Sequence, residues 1–307
     1  MKTLRRALAD YLKLRRSLGF KLKRDGKLLP GFLAHLEQAR SPFITATLAV
    51  EWATEPQDVH PAWWTARLMM VRGFAKYLQT IEPRHQVPPL ELLPHRRTRT
   101  APYIYEPTEI VALLKATTTL RNELREETYR TFLGLLAVSG IRTGEAISLD
   151  DADADLQGGV LVIRKTKFGK TREVPLHRSS AQALERYRRD RDRLVPRQLS
   201  PSFFVSTVGT RLIYQNVHDT FLQLVYAAGL GDRDPRRPRI HDLRHTFAVR
   251  TVLAWHRAGE DVEAKLPMLS TYLGHIGPST TYWYLTAIPE LLASATARLE
   301  RAWKVPS

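Results

Sequence analysis

A mainly α-helical fold in two domains, the second carrying a small β-sheet, is what the sequence predicts, on three observations. Apolar residues recur at three- and four-residue steps over most of the chain, the pattern of amphipathic helices. Five prolines within residues 83–102 interrupt that pattern and divide the chain into a shorter and a longer part. Beyond the break, two short apolar runs flank a lysine-rich stretch with a glycine, as in a hairpin. At 307 residues the chain is long enough for two domains of ordinary size.

In order, residues 1–20 read as a basic amphipathic helix with Leu4, Leu8, Tyr11, Leu12 and Leu18 on its apolar stripe. A second helix holds Leu29, Phe32, Leu33 and Leu36, and a third runs through Leu48 to Trp52. A fourth follows Pro61, a residue suited to a first helical position, with Trp64, Leu68, Val71, Ala75 and Leu78 on one face. These four helices predict a small bundle over residues 1–84, with a proline- and arginine-rich linker over 85–101 and a second domain over 102–307. In the second domain, Pro107–Ala116 and Glu126–Val138 read as helices, the latter ended by Gly140 as a left-handed cap. Strands are expected at Val160–Ile163 and Arg172–Leu176, around a hairpin of residues 165–170. Further helices are expected at about 179–194, 215–228, 241–257, 262–273, 278–285 and 289–303.

Composition narrows the function. The chain is 43% hydrophobic and 25% charged, as globular proteins are. No apolar window reaches the length of a membrane span, and basic residues break up the first 20 positions, so neither a membrane protein nor a secreted one is expected. With no cysteine there is no disulfide, cysteine nucleophile or thiolate metal site. A cytoplasmic location fits. The 47 Lys+Arg against 31 Asp+Glu leave a net charge of +16, which makes a polyphosphate such as nucleic acid the expected partner.

Four short motifs follow one another in the second domain. Ser139-Gly140-Ile141-Arg142 places an arginine just after a helix-ending glycine, at the start of another helix, and Glu145 stands three residues on, where it buttresses that helix or the arginine rather than acting as a base. His241-Asp242-Leu243-Arg244-His245 sets His241 and Arg244 about one helical turn apart, on one face. Leu273-Gly274-His275 opens a turn after a helix, and Thr280-Thr281-Tyr282-Trp283-Tyr284 ends in a tyrosine. Lys167 lies in the hairpin, with Lys165 and Lys170 as neighbours. Two basic runs accompany them. Arg186, Arg188, Arg189, Arg191 and Arg193 alternate with Asp190 and Asp192, as on a solvated, ion-paired helix face. Arg233, Arg236, Arg237 and Arg239 precede His241 in a loop suited to phosphate contact.

Taken together, the motifs resemble the catalytic domain of the tyrosine recombinases, the family of phage integrases. That family's order is Arg, Lys on a β-hairpin, His-x-x-Arg, Gly-His, and Tyr nine residues after the last His. Here the order is Arg142, Lys167, His241, Arg244, His275 and Tyr284. The match covers the whole second domain, and the basic helical first domain is similar to the family's core-binding domain. The resemblance implies a two-domain, C-shaped clamp on double-stranded DNA. It also implies site-specific strand exchange for integration, excision or transposition of a mobile element, through a 3′-phosphotyrosine intermediate.

The chemistry agrees with those residue types. Attack on a phosphodiester builds negative charge on the non-bridging oxygens, and guanidinium groups meet two such oxygens with fixed geometry. That is the role assigned to Arg142 and Arg244. The resemblance adds His275 as a phosphate donor, His241 as a proton acceptor or positioning group, Tyr284 as the nucleophile and Lys167 as the acid for the leaving 5′-oxygen. It implies no cofactor, neither metal nor ATP, because the phosphotyrosine keeps the energy of the broken bond. A zinc site on His241 and His245 is disfavoured, since Asp242 stands where a zinc protease has Glu.

A type IB topoisomerase and an idle, recombinase-derived DNA-binding protein are the alternatives. The helical first domain and the nine-residue spacing favour the recombinase, and the complete set of six polar positions argues against an idle relative. Exchange between two duplexes implies a homotetramer on DNA and leaves open whether accessory recombination proteins take part. No arm-binding domain is expected ahead of the first helix. Leu291, Leu292, Ala295, Leu299 and Trp303 form the apolar stripe of a terminal helix that docks either on its own domain or on a neighbouring protomer.

Overall fold

The computed structural model describes residues 2–93, 102–164, 171–231 and 237–275. The chain divides into two compact units, residues 1–100 and 101–307. Four helices build the first: α1 (Lys2–Ser17), α2 (Lys23–Gln38), α3 (Ala46–Thr54) and α4 (Pro61–Gln79). Gly19, at φ +88°, ends α1 in the left-handed region that glycine adopts without strain, and Phe20 N–H donates back to Arg15 O at 3.1 Å. The Thr45 hydroxyl caps α3 by accepting from Leu48 N–H at 3.2 Å. Pro61 is the first residue of α4, where its missing N–H costs nothing.

Leu8 and Tyr11 of α1, Leu29, Phe32 and Leu36 of α2, Trp52 of α3 and Val71, Phe74 and Leu78 of α4 close on one another as a single apolar core. Burying each such side chain contributes roughly 1.5–3 kcal/mol. The segment after α4 folds against this bundle. Ile44 N–H donates to His85 Nδ1 at 3.0 Å, Gln86 N–H donates to Ile44 O at 2.8 Å, and Val87 and Leu93 pack on the core. The prolines of this stretch exclude helix and ladder but not packing, so residues 85–93 are part of the first unit's body.

The second unit centres on α6 (Glu123–Ser139), flanked by α5 (Pro107–Lys115), α8 (Arg178–Leu194) and α10 (Asp242–Arg257). Three short antiparallel strands, β1 (Ala154–Asp155), β2 (Val160–Ile163) and β3 (Arg172–Pro175), pair in chain order, with Val160 opposite Pro175 and Ile163 opposite Arg172. Period-2 alternation turns Leu161, Ile163 and Val174 into the core, and Arg172 shares the inward face with Val174. Among the described residues the other α-helices are α7 (Thr143–Ile147), α9 (Tyr214–Ala227) and α11 (Val262–Leu273). The fold is therefore mainly α with a small sheet. Among the described residues no helix is long and apolar enough to cross a membrane.

One expectation for this unit needs correction. Arg191 does not belong to a solvated face. It is 2% exposed and donates to Asp151 Oδ1 at 2.9 Å, Phe203 O at 2.8 Å and Asp192 Oδ1 at 2.8 Å. Ala181, Leu184 and Tyr187 form the buried stripe of α8, and Arg191 continues it at the next four-residue step. Arg186, Arg189 and Arg193 are exposed.

Candidate active site

The site is built around the carboxyl end of α11. Gly274, at φ +66°, closes that helix, and His275 N–H donates back to Ser270 O at 2.9 Å. The last carbonyls of a helix have no partner within it and carry the negative end of its dipole, so they attract cations. Three arginines from three different elements take them in succession. Arg172 Nε of β3 donates to Tyr272 O at 2.8 Å, Arg244 Nη2 of α10 to Leu273 O at 2.6 Å, and Arg142 Nη2 to Gly274 O at 2.8 Å.

Each arginine is fixed at a second point. Arg244 Nη1 donates to Gly140 O at 2.7 Å, so this guanidinium joins the ends of α6 and α11, and the residue is 2% exposed. Gly140 is required there: it has φ +59°, and a Cβ would lie 2.5 Å from Phe247 Cδ1. Arg142 immediately precedes α7, and its side chain is 31% exposed. Arg142 and Arg172 share Glu145. Oε1 accepts from Arg142 Nη1 at 2.7 Å and Arg172 Nη1 at 3.0 Å, while Oε2 accepts from Arg142 N–H at 2.9 Å and Arg172 Nη2 at 2.7 Å. Burial pushes the Glu145 carboxyl up, but the Arg172 and Arg142 donors outweigh it and hold it at about 2. It is an anion at any working pH.

Three imidazoles stand close to these cations. Loss of solvation, then the charges of Arg244 and Arg142, push His275 down to about 4. The same causes push His241 to about 4. His241 is exposed and its imidazole is neutral at pH 7. His245 is pushed to about 3, first by burial and then by His241, and the two rings meet edge to face with centroids 4.8 Å apart. Neutral imidazoles can each give one N–H and accept at the other nitrogen.

A family model described as "Phage integrase family" matches residues 104–290. The chain belongs to the phage integrase family. Among its relatives is the integrase/recombinase y4rB of Sinorhizobium fredii (strain NBRC 101917 / NGR234), 45% identical over 311 residues that cover 99% of both chains. Tyrosine recombinase XerC of Roseiflexus sp. (strain RS-1) is 33% identical over 159 residues, 50% of this chain and 46% of that protein. In fold the chain is similar to a Tn1549 transposon integrase solved with transposon right end DNA: TM-score 0.67, 18% identity, 97% of this chain and 98% of that one covered. The likeness to a lambda integrase tetramer on a Holliday junction has TM-score 0.57 at 17% identity and covers 92% of this chain and 76% of that one.

In this integrase-family chain the structure brings Arg142, His241, Arg244 and His275 together, while Lys167 and Tyr284 lie outside the described residues. Glu145 buttresses Arg142, as its position suggested. The residue that sequence reasoning missed is Arg172. Its signal was its two-residue separation from the apolar Val174, which places it on the buried face of β3. In the loop before α10, Arg239 is tied to the buried Asp242 carboxylate, donating from Nε at 3.1 Å and Nη2 at 2.9 Å, and Arg237 donates to Tyr226 OH at 2.9 Å. Arg233 and Arg236 lie outside the described residues.

Proposed function

We propose that this chain is a site-specific DNA recombinase that cleaves and rejoins duplex DNA through a 3′-phosphotyrosine. The observation that carries the reading is the gathering of Arg142, Arg244, His241 and His275 around the end of α11, with His275 nine residues ahead of Tyr284 in the sequence. The family and the integrase/recombinase relative support it.

In the proposed reaction Tyr284 Oη attacks phosphorus, the bond from phosphorus to O5′ breaks, and the tyrosine proton passes to the neutral His241. Arg142 offers the solvent-facing guanidinium that first meets a non-bridging oxygen. Arg244 is buried beneath, so a phosphate must seat deeply to reach it. Prepositioned donors of this kind stabilise developing charge without reorganising at the moment of reaction. His275 gives its N–H to the same phosphate, and Lys167 protonates the departing 5′-oxygen. The reverse attack by a 5′-hydroxyl from a second strand completes exchange with no net bond energy lost. Four such cleavages serve two duplexes, so we read the working assembly as a homotetramer on DNA. Integration or excision of a mobile element is the use that fits the integrase/recombinase relative.

The test is a nicked suicide duplex carrying the chain's own site, recovered from randomised DNA by successive rounds of binding. The wild-type protein should become covalently joined to the cleaved strand, whereas Tyr284→Phe should bind and form no adduct. Retarded but uncut DNA with the wild type would overturn the reading in favour of a DNA-binding protein. Relaxation of supercoils without exchange would favour a topoisomerase.

A further inference from the structure

Arg172 is 11% exposed in its side chain, and three of its five N–H groups are spent: one on Tyr272 O and two on Glu145. It is therefore poorly placed to meet DNA itself. Its partners, however, are the residues on which the site depends. Each oxygen of Glu145 accepts once from Arg172 and once from Arg142: both Arg172 bonds come from its guanidinium, whereas Arg142 gives one from its guanidinium and one from its backbone N–H. Arg172 is also the first residue of β3, directly after the stretch that carries Lys167, and its Nε bond reaches the helix end that precedes His275. The fit is close, since a Cβ on Gly274 would lie 2.9 Å from Arg172 Nη1.

Without Arg172 the whole carboxylate would fall to Arg142. A buried anion with a single cationic partner draws that partner in fully, because desolvation makes an unpaired charge costly. Arg142 would then be held in a closed ion pair rather than presented to solvent. We infer that Arg172 is a positioning residue for strand cleavage: it takes two of the four bonds on the Glu145 carboxylate so that Arg142 keeps donors for the scissile phosphate, and it ties the start of β3 to the end of α11. The inference rests on the recombinase reading above.

Adduct formation on the selected suicide duplex tests it, with single-site DNA affinity measured in parallel by retardation. Arg172→Ala should bind DNA within about threefold of wild type yet cleave about 10²-fold more slowly at saturating DNA, the cost expected of a misplaced catalytic group. Arg172→Lys keeps the charge but lacks the fork, and should recover less than about a tenth of the lost rate. Adding Glu145→Gln to Arg172→Ala should raise the rate about tenfold, because the carboxylate that captured Arg142 is gone. That recovery would not follow from a merely structural role. Thermal melts of all three variants identify protein that is folded at the assay temperature, and Arg172→Lys carries the test if Arg172→Ala is not.

An unchanged cleavage rate in both single variants, a loss of affinity matching the loss of rate, or no recovery in the double variant would overturn the proposal while wild-type activity stands. Absence of any adduct with the wild type would instead overturn the recombinase reading, and this inference with it.

Discussion

Two arginines of the second unit, each 2% exposed, are buried in opposite ways. Arg191 turns its guanidinium to the carboxylates of Asp151 and Asp192, whose charges cancel its own. Arg244 is oriented by the carbonyls of Gly140 and Leu273. A carbonyl fixes the direction of a guanidinium through its dipole, whereas a carboxylate also opposes its charge, so the bonds to Gly140 and Leu273 aim Arg244 and those to Asp151 and Asp192 neutralise Arg191. The difference separates an arginine that serves the fold from one that serves a phosphate.

That contrast can be broken by substitution. The largest effect is expected at Arg244: Arg244→Lys should lower cleavage of the suicide duplex by about 10³-fold at saturating DNA, since an ammonium cannot span both carbonyls and still offer a planar face. Arg191→Met should do the converse. Its removal takes a buried donor from Phe203 O, while the half-exposed Asp151 and Asp192 keep Arg188 and Gln198 as partners, so urea unfolding should show a loss of about 1–3 kcal/mol, with cleavage by the folded protein within about threefold of wild type. If Arg191→Met lost cleavage as severely as Arg244→Lys, the division between the two arginines would be wrong.

A smaller effect falls on the backbone that aims Arg244. Gly140→Ala must accept φ +59° and press a Cβ toward Phe247 and Leu273 Cδ2, which should cost about 1–3 kcal/mol of stability. Because Gly140 O also receives Arg244 Nη1, cleavage should fall too, unlike that of Arg191→Met. A variant that loses stability and keeps full cleavage would show that the carbonyl does not aim the arginine.

Much of this was legible in the residues, and the exceptions share a cause. The helix over 262–273 and its closing glycine follow from apolar spacing and a left-handed cap, both local signals. So do the two longer strands, the cap at Gly140 and the helix start at Pro61. The resemblance to the tyrosine recombinases placed Arg142, His241, Arg244 and His275 in one site, while local signals set each at a helix end or one turn along a helix. What sequence alone left out depends on partners far along the chain. Arg191 meets Asp151 across 40 residues, and Arg172 meets Tyr272 across 100, so alternating charge on α8 looked like a solvated face and Arg172 like part of a hairpin leg. The two-residue strand β1 also escaped notice, since a pairing of Ala154 with Leu161 has almost no local pattern.

The subtlest expected effect is on pH, and it again separates the two arginine environments. The imidazoles of His245 and His275 sit among the site's cations and are pushed from 6.5 down to about 3 and about 4, first by burial; the solvent-open His241 adds the least. An unfolded chain therefore takes up protons between pH 6.5 and about 4 that the native chain refuses. Stability must fall as pH falls through that window and stay level above pH 7. Glu145 acts lower down: its carboxyl, held at about 2 against an ordinary 4.5, stabilises the fold above 4.5 and loses that contribution only as pH drops toward 2. Urea midpoints at pH 7.5, 6.5, 5.5 and 4.5 should thus decline from the second value onward, and Arg191→Met should shift every midpoint while leaving the slope unchanged. A phosphate seated beside His275 would supply the negative charge that the free site lacks and raise that imidazole toward its ordinary value. DNA binding at pH 5.5 should then take up protons, read as a binding enthalpy that differs between buffers of unlike ionisation heat, and His275→Gln should reduce the difference. Equal enthalpies in the two buffers would mean that the phosphate does not reach His275, and would move the proposed contact back to Arg142 alone.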